Sequence, residues 1–198
     1  MLVLILPRRG AEHMAAQRSR ILRATLRCIS DLGIERASVA EIRREAGLSA
    51  GALYLHFANK DEIIVEALRS ASVRGTHLPK TWPEFIAAVA SMADENGFDM
   101  ASTARSQIQV FALAIRPGPM RELLAPLVAD ALDFVVRHLT DMQAAGHMRL
   151  RMSPLRTALA ISALKDGLIW SGLALNRRFD EIEADIVATA QFLVWADN

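Results

Sequence analysis

The stretch SVAEIRREAGLSAGALYLHFANKDE, running from Ser38 to Glu62, decides the fold, because three helix starts and two tight stops fall within 25 residues. Ser38 and Glu41 have the S-x-x-E spacing of a capping box, in which the hydroxyl accepts one orphan N–H of the first turn and the carboxylate reaches back for another. The spacing predicts a short helix from about Val39 to Ala46, buried on Ile42 and Ala46, and ended where Gly47 can turn left-handed without a Cβ clash. Ser49 can cap a second short helix reaching Phe57, and Asn59 with Glu62 repeats the capping arrangement for a third, longer one. Three helices that turn this sharply in so few residues read as a helix-turn-helix.

The wheel of the middle helix separates two faces. At about 100° per residue, Leu53 and Phe57 share one side, while Gly51, Tyr54 and Leu55 point the other way. An outward Tyr and Leu either half-bury against a small helical corner or serve a partner. The small residues Ala50, Gly51 and Ala52 ahead of them let the backbone approach a groove floor or a phosphate closely. Tyr54 and His56 can donate hydrogen bonds to phosphate oxygens, and Lys60 adds a point charge at the start of the next helix. With the two cap serines, Ser38 and Ser49, the candidate DNA contacts are thus Ser38, Ser49, Ala50, Gly51, Ala52, Tyr54, Leu55, His56 and Lys60.

The run GLSAGALYLHFANKDEI resembles the DNA-binding signature of the TetR/AcrR family of transcriptional regulators. The helix before it, the Gly47 turn, the Tyr54-x-His56-Phe57 run and the Asn59-Lys60 pair stand where that family has them. Where the family usually carries Thr and often a polar or basic residue, this chain has Ala52 and Ala50. Further on, only the all-helical layout and a Lys165-Asp166-Gly167-Leu168 run are similar. The resemblance implies a regulator, most often a repressor, that holds a small effector among its later helices and loses operator affinity through a pivot of the connecting helix.

Outward from this stretch, Ile21, Leu22, Thr25, Leu26, Ile29 and Leu32 recur at three and four and predict a helix from about Glu12 to Leu32, stopped by Gly33. Arg18, Arg20, Arg23 and Arg27 fill the rest of that helix, either as a solvated face or as flanks to DNA phosphates. Residues 1–12 open with six apolar residues, too few to span a bilayer, followed by Pro7, Arg8 and Arg9 in an order opposite to that of a signal peptide. They read as a flexible arm. Residues 1–77 carry 12 Lys+Arg against 8 Asp+Glu, a net of +4, whereas 78–198 carry 11 against 14, a net of −3. The basic half is the helix-turn-helix half, which suits an anionic partner there. The single cysteine, Cys28, excludes an internal disulfide and fits a cytoplasmic protein.

Thr76 to Pro83, with two prolines and no periodicity, is the best boundary, which divides the chain into an arm (1–12), a helix-turn-helix domain with its connecting helix (13–77) and a second helical domain (78–198). Five helices are expected in the second, near 83–95, 99–115, 120–144, 153–175 and 180–196, the third bent by Pro126. No segment alternates at period two, so the fold class is all-α with about nine helices. The five histidines lack metal-ligand spacing, and no Cys-x-x-C, H-E-x-x-H or glycine-rich phosphate loop occurs. Neither a cofactor nor an enzymatic role is expected, and no membrane segment.

The second domain reads as a receptor and a dimerisation unit. Phe85, Met92, Phe98, Phe111 and Phe134 either fill a core or line an apolar cavity for a small apolar or amphipathic effector of unknown identity, with Arg105, Gln107 and Gln109 placed to orient it or to face solvent. On the penultimate helix Ala160, Ala163, Gly167, Ser171 and Ala174 make a strip of small side chains that lets another helix come close, with Trp170 and Trp195 beside it. That strip takes either a helix of the same chain or a second copy. A homodimer, by placing two recognition helices on one two-fold axis, would call for a near-palindromic double-stranded operator. Two other classes stand beside this reading: a regulator of the same fold controlled by a protein partner, and a helical-bundle enzyme or carrier.

Overall fold

A computed structural model describes residues 8–72, 78–91 and 100–195 of the chain. Among them the helices are α1 (Arg8–Leu32), α2 (Val39–Ala46), α3 (Ala50–Tyr54), α4 (Lys60–Ser72), α5 (Trp82–Ala90), α6 (Met100–Ile115), α7 (Pro119–Ala144), α8 (Pro154–Ala174) and α9 (Phe179–Ala190), followed by a single 3₁₀ turn over Gln191–Leu193. The fold is all-α, as the periodicity requires.

The caps that the sequence spelled out form. Ser38 Oγ accepts from Glu41 N at 3.2 Å, and Ser49 Oγ accepts from Ala52 N at the same distance. Asn59 Oδ1 accepts from Glu62 N at 2.9 Å while the Glu62 carboxylate accepts from Ala58 N at 2.6 Å, so this box closes one residue earlier than the cap itself. Gly47 ends α2 at φ 61°, ψ 41°, a conformation that a Cβ penalises. The Arg20 guanidinium donates to its carbonyl at 3.1 Å and ties α1 to that turn.

Three boundaries differ from expectation. Helix α1 begins at Arg8, so residues 8–12, expected in an arm, belong to its first turns. Helix α3 is shorter than expected, although Phe57 N still donates to Leu53 O at 3.1 Å beyond its end. Helix α9 stops at Ala190 and not near 196, because Trp195 N donates to Arg149 O and Arg151 N to Leu193 O, an isolated antiparallel pairing that pulls the chain out of helical register.

The core of the first four helices gathers Ile21, Ile29, Ile42, Leu53, Phe57, Ile63 and Ile64, all essentially buried. Arg18 stacks its guanidinium 5.0 Å from the Phe57 ring centroid and reaches Glu66 at 2.7 Å, which clamps α1 to α4. The Arg18 hydrogen bond holds the Glu66 carboxyl below its ordinary value, with Arg69 adding to the effect. Val110 and Leu113 of α6 pack on this same core, and Val65 and Leu68 of α4 pack on Leu124 and Leu127 of α7. A separate core joins Trp82, Phe85 and Ile86 of α5 to Leu139 and Met142 of α7 and to Ala158 and Ile161 of α8.

The two glycines of α8 differ in their surroundings. A Cβ built on Gly167 meets no atom within 4 Å, whereas one on Gly172 would run into the Ile182 side chain. The close approach of α8 and α9 within one chain is therefore made at Gly172, and the strip around Gly167 is left open. Gly172→Val is expected to lower unfolding free energy by roughly 1–3 kcal/mol through overpacking. An unchanged urea midpoint would show that Ile182 moves aside without cost.

Candidate nucleic-acid interface

Helix α3 divides its residues as the wheel demands. Leu53 and Phe57 are buried in the first core, while Tyr54 is 54% exposed and Leu55 72% exposed. Ala50 and Gly51 are also exposed, and a Cβ on Gly51 would find only Ser49 Oγ, at 4.0 Å, so nothing of the chain crowds the start of this helix. Ser38 and Ser49 spend one oxygen lone pair each on their caps and retain a hydroxyl proton to donate.

Two of the candidate contacts are held by the protein itself. His56 is half-buried, and its Nε2 lies 3.3 Å from Gln17 Oε1 on α1, so it braces α3 against α1. Lys60 Nζ donates to the Glu35 carbonyl at 3.1 Å, which aims the ammonium while leaving two N–H bonds for an acceptor. The α1 arginines divide as well: Arg18 and Arg27 pair with Glu66 and with Glu45 (3.0 Å), and Arg20 holds Gly47. These three are tertiary ties. Cys28 is buried, and burial pushes its thiol up to about 11, which makes it packing and no nucleophile.

The expected effector residues fall in separate surroundings. Phe85 is wholly buried between Trp82 and His138, with ring centroids 6.0 and 5.2 Å away. Phe111 meets the Trp170 ring edge-on at 6.3 Å, Phe134 is 42% exposed, and Arg105 is exposed. Met92 and Phe98 lie outside the described residues. Gln107 Oε1, one turn from Phe111, and Trp170 Nε1 are buried polar atoms without a hydrogen-bond partner among the described residues. Asp166, one turn before Trp170, is largely buried, and desolvation raises its carboxyl above the ordinary value although Lys165 Nζ stands 3.8 Å away. Among the described residues no group of three His, Cys, Asp or Glu could hold a metal ion, and no helix is long and apolar enough to cross a membrane.

On α8, Ala163, Gly167 and Ser171 are exposed and Trp170 is half-buried. The strip continues to Leu155 and Leu159, both about half exposed; α9 presents Ala184 and Ala188, and Phe192 in the 3₁₀ turn after it is also exposed. Trp195 is 45% exposed between the guanidinium groups of Arg149 and Arg151, 5.4 and 4.2 Å from its ring.

Residues 21–67 match the family model described as bacterial regulatory proteins, tetR family. Over 193 residues, covering 87% of this chain and 88% of the other, the chain is 26% identical to the HTH-type transcriptional regulator TtgR of Pseudomonas putida. Residues 21–67 are thus a tetR-family regulatory segment. A further TetR-type match, 32% identical over 69 residues, is the HTH-type transcriptional repressor Rv1474c of Mycobacterium tuberculosis; it spans 35% of this chain and 37% of that one. The TetR fold extends through the whole molecule: a TetR-family transcriptional regulator from Rhodococcus sp. superposes with a TM-score of 0.76 at 19% identity, over 91% of this chain and 100% of that one. A transcriptional regulator from Saccharomonospora viridis, solved in complex with choline, superposes at 0.67 and 20% identity, over 92% and 100%.

Sequence reasoning missed the exposed Leu155, Leu159 and Phe192. The signal was present, since Leu155 and Leu159 extend the small-residue strip at spacing four. It also placed Gln109 toward a ligand or solvent, whereas its side chain is turned onto the α1–α2 turn.

Proposed function

We propose that this TetR-family chain is a ligand-responsive transcriptional regulator that binds a near-palindromic DNA operator as a dimer, as a repressor released by a small apolar or amphipathic effector. The observation that carries the reading is the division around α3, with Leu53 and Phe57 buried and Tyr54 and Leu55 exposed, and with Lys60 at the start of the next helix. A soluble domain that offers an aromatic and a leucine on a short, uncrowded helix backed by a lysine is shaped for a groove and its phosphates. Named relatives and neighbours of the same fold are regulators, one of them with choline bound. Support for an effector in the second half comes from two buried atoms without a hydrogen-bond partner among the described residues, Gln107 Oε1, one turn from Phe111, and Nε1 of the Trp170 ring that meets Phe111, since buried polar atoms call for a partner. The open strip on α8 and the apolar row on α9 support a partner copy.

The test is selection of binding duplexes from a randomised pool, followed by anisotropy titrations at several salt concentrations. Enrichment of a two-fold symmetric sequence is expected. Lys60→Ala is expected to weaken binding to every duplex and to reduce the slope of log K against log salt by about one, the mark of a lost phosphate contact. Enrichment of no sequence, with affinity equal in parent and variant, would sink the reading.

A further inference from the structure

We propose that Gln109 of α6 is a positioning residue for the DNA-binding face, acting through the α1–α2 turn on Lys60; this rests on the DNA-binding reading above. Gln109 Oε1 accepts the Ile34 N–H at 2.9 Å, a hydrogen bond between residues 75 positions apart. Gly33 sits at φ +87°, and a Cβ there would stand 2.9 Å from the same oxygen, so glycine at 33 is required both by the backbone conformation and by the approach of Gln109. The next residue of the turn, Glu35, gives its carbonyl to Lys60 Nζ at 3.1 Å. Three consecutive residues thus connect an α6 amide to a lysine at the start of α4. Val110 and Leu113, beside Gln109 on α6, pack on the first core and hold α6 in reach of the turn. A cleft of about 360 Å³ runs along this seam, lined by Leu32, Ile34 and Arg36 on one side and by Gln109 and Arg116 on the other. Across this cleft the Arg116 guanidinium also stands 3.9 Å from the Glu35 carboxylate, a contact between largely exposed side chains, so the Gln109 hydrogen bond is the closer polar link to the turn.

The consequence is directional. When α6 keeps its place, the Glu35 carbonyl aims Lys60, whose remaining N–H bonds reach a phosphate oxygen. When α6 shifts, the Ile34 N–H loses its acceptor, the turn relaxes, and the ammonium loses the carbonyl that orients it. A side chain far from any DNA contact then tunes a phosphate contact, which is a coupling free energy between two sites.

A double-mutant cycle on the duplex selected by the parent protein tests this. Gln109→Met, close in shape but without an acceptor, is expected to weaken binding about fivefold in the parent background, at the lower end of typical coupling factors. In the Lys60→Ala background the same change is expected to stay within about twofold, the scatter of independent sites. Gln109→Glu, which keeps an oxygen facing Ile34, should restore most of the lost affinity, and hydrogen exchange of the Ile34 amide should quicken in Gln109→Met alone. A purely structural role would weaken binding equally in both backgrounds, and that result overturns the proposal. If Gln109→Met is unfolded by circular dichroism, Gln109→Leu replaces it; if both are unfolded, Gln109 is a stability residue and the proposal falls. A parent protein that selects no duplex defeats the DNA-binding reading and this one together, whereas a parent that binds with an additive cycle defeats this one alone.

Discussion

Phe57→Ala is expected to cost about 3–5 kcal/mol of unfolding free energy, a large part of the roughly 5–15 kcal/mol that holds a typical domain folded. Three residues away on the other face of the same turn, Tyr54→Ala is expected to leave stability within about 0.5 kcal/mol and to weaken DNA binding about tenfold, as loss of a hydrogen bond to a charged acceptor does. The difference follows from where the rings lie. Phe57 is 2% exposed among Ile42, Leu53 and Ile63, and its face carries the Arg18 guanidinium that also grips Glu66. Removing it leaves a cavity and loosens the α1–α4 clamp together. Tyr54 touches nothing that its absence would leave unpaired, since more than half its surface is open. Urea titrations and duplex binding on both variants decide the matter: equal destabilisation by the two changes would mean that the faces of α3 have been assigned the wrong way round.

What was legible in the sequence is what is settled within one helical turn. Ser38, Gly47, Ser49 and Asn59 act on N–H and C=O groups no more than four residues away, so their spacing alone placed α2, α3 and the start of α4. Amphipathic spacing likewise set Leu53 and Phe57 apart from Tyr54 and Leu55. Choices made over long separations left no local mark. Whether Gln109 faces solvent or Ile34 depends on how α6 docks 75 residues downstream, and the end of α9 depends on a backbone pairing with residues 149–151. The two α8 glycines make the same point, because only the position of Ile182 on α9 decides that Gly172 is the crowded one. Aromatic residues were the least informative class: Phe85 and Phe134 look alike in sequence, yet one is the centre of a core and the other stands half in solvent.

Gly167→Leu is expected to shift the protein from dimer to monomer and to lower operator affinity by about a hundredfold or more, without disturbing the helix-turn-helix. Among the described residues no atom lies within 4 Å of a Cβ at this position, and Leu is the better helix former by somewhat under 1 kcal/mol, so the substitution meets no obstacle there. Any loss must therefore arise from something beyond them that approaches the strip. Ala163, Gly167 and Ser171 are exposed and small, preceded along α8 by the larger exposed Leu155 and Leu159, an arrangement that lets a helix of a separate copy pack closely. A leucine in the middle of such a contact holds the helices apart. Because two linked half-sites bind more tightly than one by roughly 10²–10⁴ when geometry permits both, loss of the dimer removes that factor from DNA affinity. Sedimentation velocity and anisotropy read the two effects separately, and Gly167→Ala, which adds one methyl, should show them in weaker form. If the parent is monomeric at micromolar concentration, or Gly167→Leu remains a dimer of full affinity, the partner copy does not use this strip, and the exposed leucines of α8 require another occupant.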